Sequence, residues 1–414
     1  MSYKHCIVIL LIIAAGLGLM TGCGTKPTSK ADLSLTQRDI STITLPKTVQ
    51  IAALGEASHG VHEYQQMKAD VFKALVHNNG CRTFIIEGDF GGALKVDAYI
   101  HGAAGTAENA AAAIGFNIYR TREMAELIDW MRAYNQTAPI GQDLHFYGMD
   151  VQRFDNNKAY VLDVLETAAP ELAADYQTAL APLTDASRNT LDTTALTQGR
   201  DNAEALLADI DAAKSQITAA VGANAFAFAR ECAASIRAYC DIQLSDDYNA
   251  TREQYQFEKV TWFIDQGDGS LLFINGHNGH IAKTSTAGYT SLGEKLDQMF
   301  GDAYYAIATD AQITTFNSQK DDGSFEIIKV TNTNHFNAQL SDNDAPYFID
   351  FDTAKSDSNW QHIITSEQSL TTLNVGLSPF LRFFKPAYTI TMTPEAAFDA
   401  MLVFHSVTPT TLNG

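Results

Sequence analysis

Cysteine is scarce, five in 414 residues, and no two form a Cys-x-x-Cys pair or a zinc-type spacing. No disulfide framework is therefore implied. Cations are also few: 28 lysines and arginines stand against 48 aspartates and glutamates, for a formal net charge of −20. Without a basic stripe to offset it, such a chain repels phosphate backbones, which excludes nucleic acid as a partner. Charged residues of both signs make up only 18%, below the usual quarter. The Gly-x-Ser-x-Gly elbow of serine hydrolases does not occur either. What is plentiful is apolar: 46% of residues, enough for a sizeable core in one large domain with an insertion, or in two domains.

The N-terminus reads as an address. Lys4 and His5 precede the apolar run Ile7–Ile13, and small residues lead to Leu19-Met20-Thr21-Gly22-Cys23. A short positive region, an apolar stretch and a small-residue exit are the parts of a secretory signal. The ending resembles a bacterial lipobox, with Met20 where that pattern prefers leucine. The run is short for a membrane span. Residues 1–23 are thus expected to be a lipoprotein signal peptide, and Cys23 the lipidated first residue of an exported, membrane-anchored lipoprotein of the cell envelope. Cys6 leaves with the signal. Cys81, Cys232 and Cys240 remain as buried free thiols, since the last two lie about 12 Å apart along a helical stretch and cannot bridge.

Residues 24–45, rich in Ser, Thr, Lys and Asp, read as a flexible tether. From residue 46 onward, strands alternate with helices. Val49–Leu54, Thr83–Glu87 and His145–Asp150 are strand-like, with helical spacing over Glu63–Val76 and Arg122–Tyr134. This pattern predicts an α/β fold, a largely parallel central sheet flanked by helices. The stretch 156–265 is Ala-, Leu- and Asp-rich with hardly any strand signal, and is expected to be a helical insertion within a domain spanning 46–414. Strand signals resume at Leu271–Asn275, Tyr304–Ala308, Phe325–Val330 and Tyr347–Phe351.

In open α/β sheets ligands bind at the carboxyl ends of the strands. There stand Glu56 and His59 after the first strand, Glu87 and Asp89 after the second, and Asp150 after the third. Gly276-His277-Asn278-Gly279-His280 follows the 271–275 strand, and Asp310 closes the strand at 304–308. A lone glutamate at a strand end is usually a cap or a surface ion pair, and a lone histidine a structural one. Two histidines three residues apart in a Gly-rich turn are sharper, because they can face a common centre. His62, His77, His101 and His145 lack that context and read as structural or solvent-facing.

These residues also carry a family resemblance. Gly55-Glu56-Ala57-Ser58-His59-Gly60, a helix with Met67-Lys68, and Phe84-Ile85-Ile86-Glu87 look like the opening of the erythromycin esterase family. Arg252-Glu253-Gln254-Tyr255 with Trp262-Phe263, then Ile274–His280, resemble its later blocks in the same order. Gly301-Asp302-Ala303-Tyr304-Tyr305 and Gly323-Ser324-Phe325 continue the match, so that the resemblance spans about residues 46–405.

The resemblance implies a carboxylic ester hydrolase, with a macrolide lactone as one substrate and antibiotic resistance as one role. It places the water-activating base at His59, an orienting glutamate at Glu56 and a further acidic residue at Glu87. His277 and His280 would hold the substrate carbonyl or oxyanion. Lys68 stands where characterised members carry an arginine, and lysine lacks the bidentate fork. Gln256 and Lys259 replace a usual Met and Asn. Neutral histidine oriented by a carboxylate can take a proton from water, so no metal and no cofactor is expected. Two other readings use the same residues: a metal-dependent hydrolase with the His/Glu cluster as ligands, and a non-catalytic ligand-binding lipoprotein. The expected partners are a small-molecule ester or lactone and, through Cys23, the membrane.

Overall fold

The computed structural model describes residues 30–267, 269–342 and 344–413. The signal segment, Cys23 and the first part of the expected tether lie outside them. Five strands build the heart of the sheet: β1 (Ile51–Glu56), β2 (Thr83–Asp89), β3 (His145–Asp150), β4 (Leu272–His277) and β5 (Tyr304–Gln319). Five more strands follow: β6 (Phe325–Thr331), β7 (Tyr347–Asp350), β8 (Gln368–Thr371) with its antiparallel partner β9 (Thr389–Met392), and finally β10 (Ala400–Val407). The main sheet runs β3-β2-β4-β1-β5-β10-β7, with β6 beside the far half of β5. All neighbours from β3 to β10 pair in parallel; β7 and β6 are antiparallel edges.

Alternation along these strands builds two cores. Ile51, Ala53, Ile85, Ile274, Ala306 and Met401 point to one face, and Ala52, Leu54, Phe84, Ile86, Phe273 and Ile307 to the other. That period of two with apolar residues on both faces is the signature of a sheet covered on both sides. On the second face lie α1 (His62–Asn78) and, after α2 (Phe90–Ile100) and α3 (Ala107–Ala113), α4 (Arg122–Asn135). Between β3 and β4 come only helices: α5 (Asp155–Ala168), α6 (Pro170–Ala179), α7 (Thr193–Ala212), α8 (Lys214–Val221), α9 (Ala223–Leu244) and α10 (Tyr248–Gln266). They cover the first face, with Val161, Leu206, Ile236, Val260 and Phe263 in its core. Cys81, Cys232 and Cys240 are buried free thiols.

Two expectations need correction. The stretch 31–45 is not a tether. Asp32 and Asp39 cap short 3₁₀ turns at Leu33–Leu35 and Ile40–Thr42, and Gln37 bridges the backbone of Phe348 on the β7 edge. Ile43 and Leu45 are buried in the core. Its Ser/Thr-rich composition hid six spaced apolar residues, enough to dock the segment. The strands are also longer than their apolar runs. β1 and β4 stay paired through their glycines, Gly55 with Gly276 and Glu56 with His277. β5 likewise runs on past Asp310 to Gln319, held by β6 and β10.

Candidate active site

Because β1 and β4 stay in register to their last residue, Glu56 and His277 end side by side, and the turn after each strand delivers the next histidine. The β1 side forms one cluster. His59 Nδ1 lies 3.2 Å from Glu56 Oε2, which also accepts a hydrogen bond from Gln65 Nε2 at 3.1 Å. Lys68 Nζ pairs with Glu56 Oε1 at 2.6 Å and donates to Gln65 Oε1 at 2.8 Å. Gln65 and Lys68 are three apart on the inward face of α1. Glu56 and Lys68 are wholly buried. Burial pushes the Glu56 carboxyl up, but Lys68 and His59 more than reverse this and leave it below its usual value. Burial lowers the Lys68 ammonium, and Glu56 only partly offsets that. Gly60 fixes the turn: a Cβ there would stand 2.1 Å from the Asn317 carbonyl oxygen.

A second cluster gathers around Glu87 at the end of β2. Its Oε1 meets Arg252 Nη2 at 2.8 Å and His280 Nε2 at 2.9 Å. Arg252 continues to Asp150 Oδ2 at 2.6 Å, and His280 Nδ1 reaches Glu253 Oε1 at 2.5 Å. Asp247 caps α10 by accepting from the Ala250 N–H, which sets Arg252 and Glu253 in the following turn. Burial alone would raise Glu87, yet His280, His59 and Arg252 hold it well below the carboxylate range. For His280 burial works against the charge, but Glu253 and Glu87 outweigh it and the nearby Arg252, so its pKa rises to about 10. Both His280 nitrogens face carboxylates and keep the ring an imidazolium at neutral pH, although Arg252 Nη1 also stands 3.2 Å from Nε2 and opposes the charge. The two clusters touch where His59 Nε2 lies 3.8 Å from Glu87 Oε2.

His277 differs from both neighbours. Its Nδ1 accepts the Gly279 N–H at 3.1 Å, so the neutral ring carries its proton on Nε2. That buried Nε2 has no hydrogen-bond partner among the described residues. Burial, followed by His59 and His280, lowers the His277 pKa to about 3. The ring stands 5.7 Å from that of His59, centroid to centroid. Its own backbone N–H donates to Glu87 Oε2 at 2.9 Å, across Gly276, where a Cβ would come within 3.1 Å of that oxygen.

All six residues expected at a site from the sequence, Glu56, His59, Lys68, Glu87, His277 and His280, fall into this one contiguous arrangement. Asp150 joins it through Arg252. Asp89 does not: it caps α2, accepting from the Gly92 N–H and Asn157 Nδ2, and burial raises it to about 7. Asp310 is held by Asn334, Asn337 and the Thr371 N–H in a separate knot, with burial raising it to about 6. Arg252, Glu253, Gln65 and Tyr119 were not singled out from the sequence. Tyr119 donates to the Glu87 carbonyl at 3.0 Å and its ring meets that of His59 in a T-shaped contact. Arg252 and Glu253 did stand in a motif block, and that block was the available signal.

The erythromycin esterase family profile matches residues 76–407, most of the chain. The chain belongs to the erythromycin esterase family. Membership makes it a hydrolase of the esterase class. A family relative, erythromycin esterase type II of Escherichia coli, is 22% identical over 289 residues, 62% of this chain and 68% of that one. Among solved structures, a Bacillus cereus protein superposes with a TM-score of 0.76 at 21% identity, covering 89% of this chain and 91% of that one. A mutant of the erythromycin esterase EreC in its open conformation gives 0.66 at 14% identity, covering 88% and 92%. At these identities the structural likeness shows the fold, the mostly parallel sheet flanked by helices.

Proposed function

We propose that the chain hydrolyses carboxylic esters or lactones, macrolide lactones among them, by attack of a water molecule that His59 deprotonates. The observation that carries this reading is the pairing of two histidines in opposite roles. His59 is oriented through Nδ1 by Glu56, leaving Nε2 as the proton acceptor. Beside it, His277 offers a buried Nε2–H, unpartnered among the described residues, on a ring that stays neutral at working pH, the right donor for a carbonyl oxygen gaining charge. Proton transfer to His59 places positive charge beside Glu56 and Glu87, both ionised, and each stabilises the imidazolium. His280 holds Glu87 in place and does not itself bind the carbonyl, because both its nitrogens are engaged. Lys68 acts on Glu56, as a point charge. His59, His277 and Glu87 are only 4, 7 and 9% exposed, so the reacting groups sit in a largely water-excluded setting that strengthens their electrostatics.

The experiment is hydrolysis of a panel of esters, lactones and macrolides by the full chain, with and without chelator, beside His59→Ala. Turnover that survives chelation and drops about a hundred- to ten-thousand-fold in a folded His59→Ala variant supports the reading. Chelator-sensitive turnover, or a fully active His59→Ala, overturns it.

The N-terminal segment adds an address to this reading: export and anchorage to the membrane through lipidated Cys23. Mass spectrometry of the mature protein extracted from membranes should find Cys23 first and acylated. An unmodified Cys23, or an intact residue 1–22 segment, contradicts it.

A further inference from the structure

At the opposite end of the sheet, about 16 Å from Asp150 along β3, a second group of ionisable side chains gathers. Asp97 and His101 lie one turn apart at the end of α2, and His145 opens β3 beside them. Asp97 Oδ1 is 3.3 Å from His145 Nδ1, and Asp97 Oδ2 is 3.5 Å from His101 Nδ1. The two imidazoles stack at 4.9 Å between centroids and share this one carboxylate. Their donor atoms all lie within 4.8 Å of one another, and among the described residues no other three His, Cys, Asp or Glu do so.

From this geometry we propose that Asp97, His101 and His145 bind a divalent transition-metal ion of the zinc class. A tetrahedral ion with bonds of about 2.0–2.2 Å holds its ligand atoms about 3.4 Å apart. The carboxylate reaches both rings near that spacing, His145 through Oδ1 and His101 through Oδ2, and a small turn of the carboxylate brings one oxygen to serve both. Closing the two imidazoles to it takes a movement of at most about 1.4 Å. His101, the partly exposed C-cap of α2, is free to make that movement once it gives up its hydrogen bond to the Asp97 carbonyl. The rest of the site is fixed. Asp97 Oδ1 also accepts the Phe146 N–H at 3.0 Å, and Tyr147 stacks on His145 at 5.6 Å. Two imidazoles and a carboxylate suit zinc, cobalt or nickel better than calcium or magnesium, which take oxygen. His145 also lines a cavity of about 310 Å³ with Asp143, so solvent reaches its ring. The ion would clamp α2 to β3.

The test is cobalt(II) and zinc(II) titration of the untagged full chain, followed by cobalt absorption, bound-metal analysis and thermal unfolding. One equivalent is expected, with a tetrahedral cobalt spectrum and a raised unfolding midpoint. Affinity should fall more than the roughly 10–100-fold that loss of an outer-shell partner costs, both in His101→Ala, whose side chain is exposed enough to leave the fold alone, and in His145→Ala. His280→Ala should bind as the wild type does. No uptake at micromolar metal overturns the proposal. So does uptake that survives His101→Ala, and uptake lost in His280→Ala while kept in His101→Ala places the ion in the other cluster.

Discussion

The two ionic clusters that meet at His59 are built in different ways. The Glu56 cluster is local: Glu56, His59, Gln65 and Lys68 all lie within the strand, turn and helix of one β1–α1 unit. The Glu87 cluster is assembled. Arg252 reaches Glu87 across 165 residues and Asp150 across 102, and Glu253 arrives on the same helix. The first is neutral in sum, one carboxylate and one ammonium. The second holds three carboxylates and two cations, a net charge of −1. The difference teaches that the chemistry of the base is carried by a short motif, whereas the position of Glu87 depends on the whole fold. The Gly276–His280 turn joins them, giving His277 to the base and His280 to the assembled frame.

Lys68→Met breaks the local cluster most directly. It leaves the buried Glu56 carboxylate without its cation, and urea unfolding should show a loss of about 3–5 kcal/mol. Next in size is His277→Ala, which removes the unpaired Nε2–H beside His59. It should lower kcat about a hundred- to a thousandfold, or about 2.7–4 kcal/mol in barrier, with the unfolding midpoint little changed.

The assembled cluster should reveal itself through pH. His280 titrates near 6.5 in the unfolded chain but near 10 in the fold. Between those values the native state holds the extra proton, so the stabilisation is complete below about pH 6.5 and is lost as pH rises towards 10. Thermal unfolding from pH 6 to 10 should show that decline in the wild type and a flatter profile in His280→Gln. The smallest effect is a gain. Gln256 is buried on α10 with neither amide atom paired among the described residues. Gln256→Met should therefore stabilise the fold by about 1 kcal/mol, measured by the same unfolding curves, while leaving Arg252 in place.

The same contrast explains what the sequence disclosed. Glu56, His59 and Lys68 were legible because strand end, turn and helix face are local patterns. Glu87, His277 and His280 were legible because glycines mark their strand ends. Arg252, Glu253 and Tyr119 were not, since their importance lies in which distant carboxylate or ring they meet, and helical spacing says nothing of that. Asp89 and Asp310 stand at strand positions as promising as that of Glu87, yet one caps a helix and the other anchors a loop. Strand order and the docking of residues 31–45 were hidden for a related reason. Both depend on partners far along the chain, Phe348 for Gln37 and β10 for β5.

The account turns on His277 being a neutral donor and His280 a fixed cation, three residues apart. Nitrogen-15 chemical shifts of the two rings in the full chain, followed from pH 5 to 9, measure this directly. The structure predicts His277 as a single neutral Nε2–H tautomer throughout, and His280 protonated on both nitrogens up to at least pH 8. A second proton on His277 near pH 6.5, or a neutral His280 at pH 7, would contradict it.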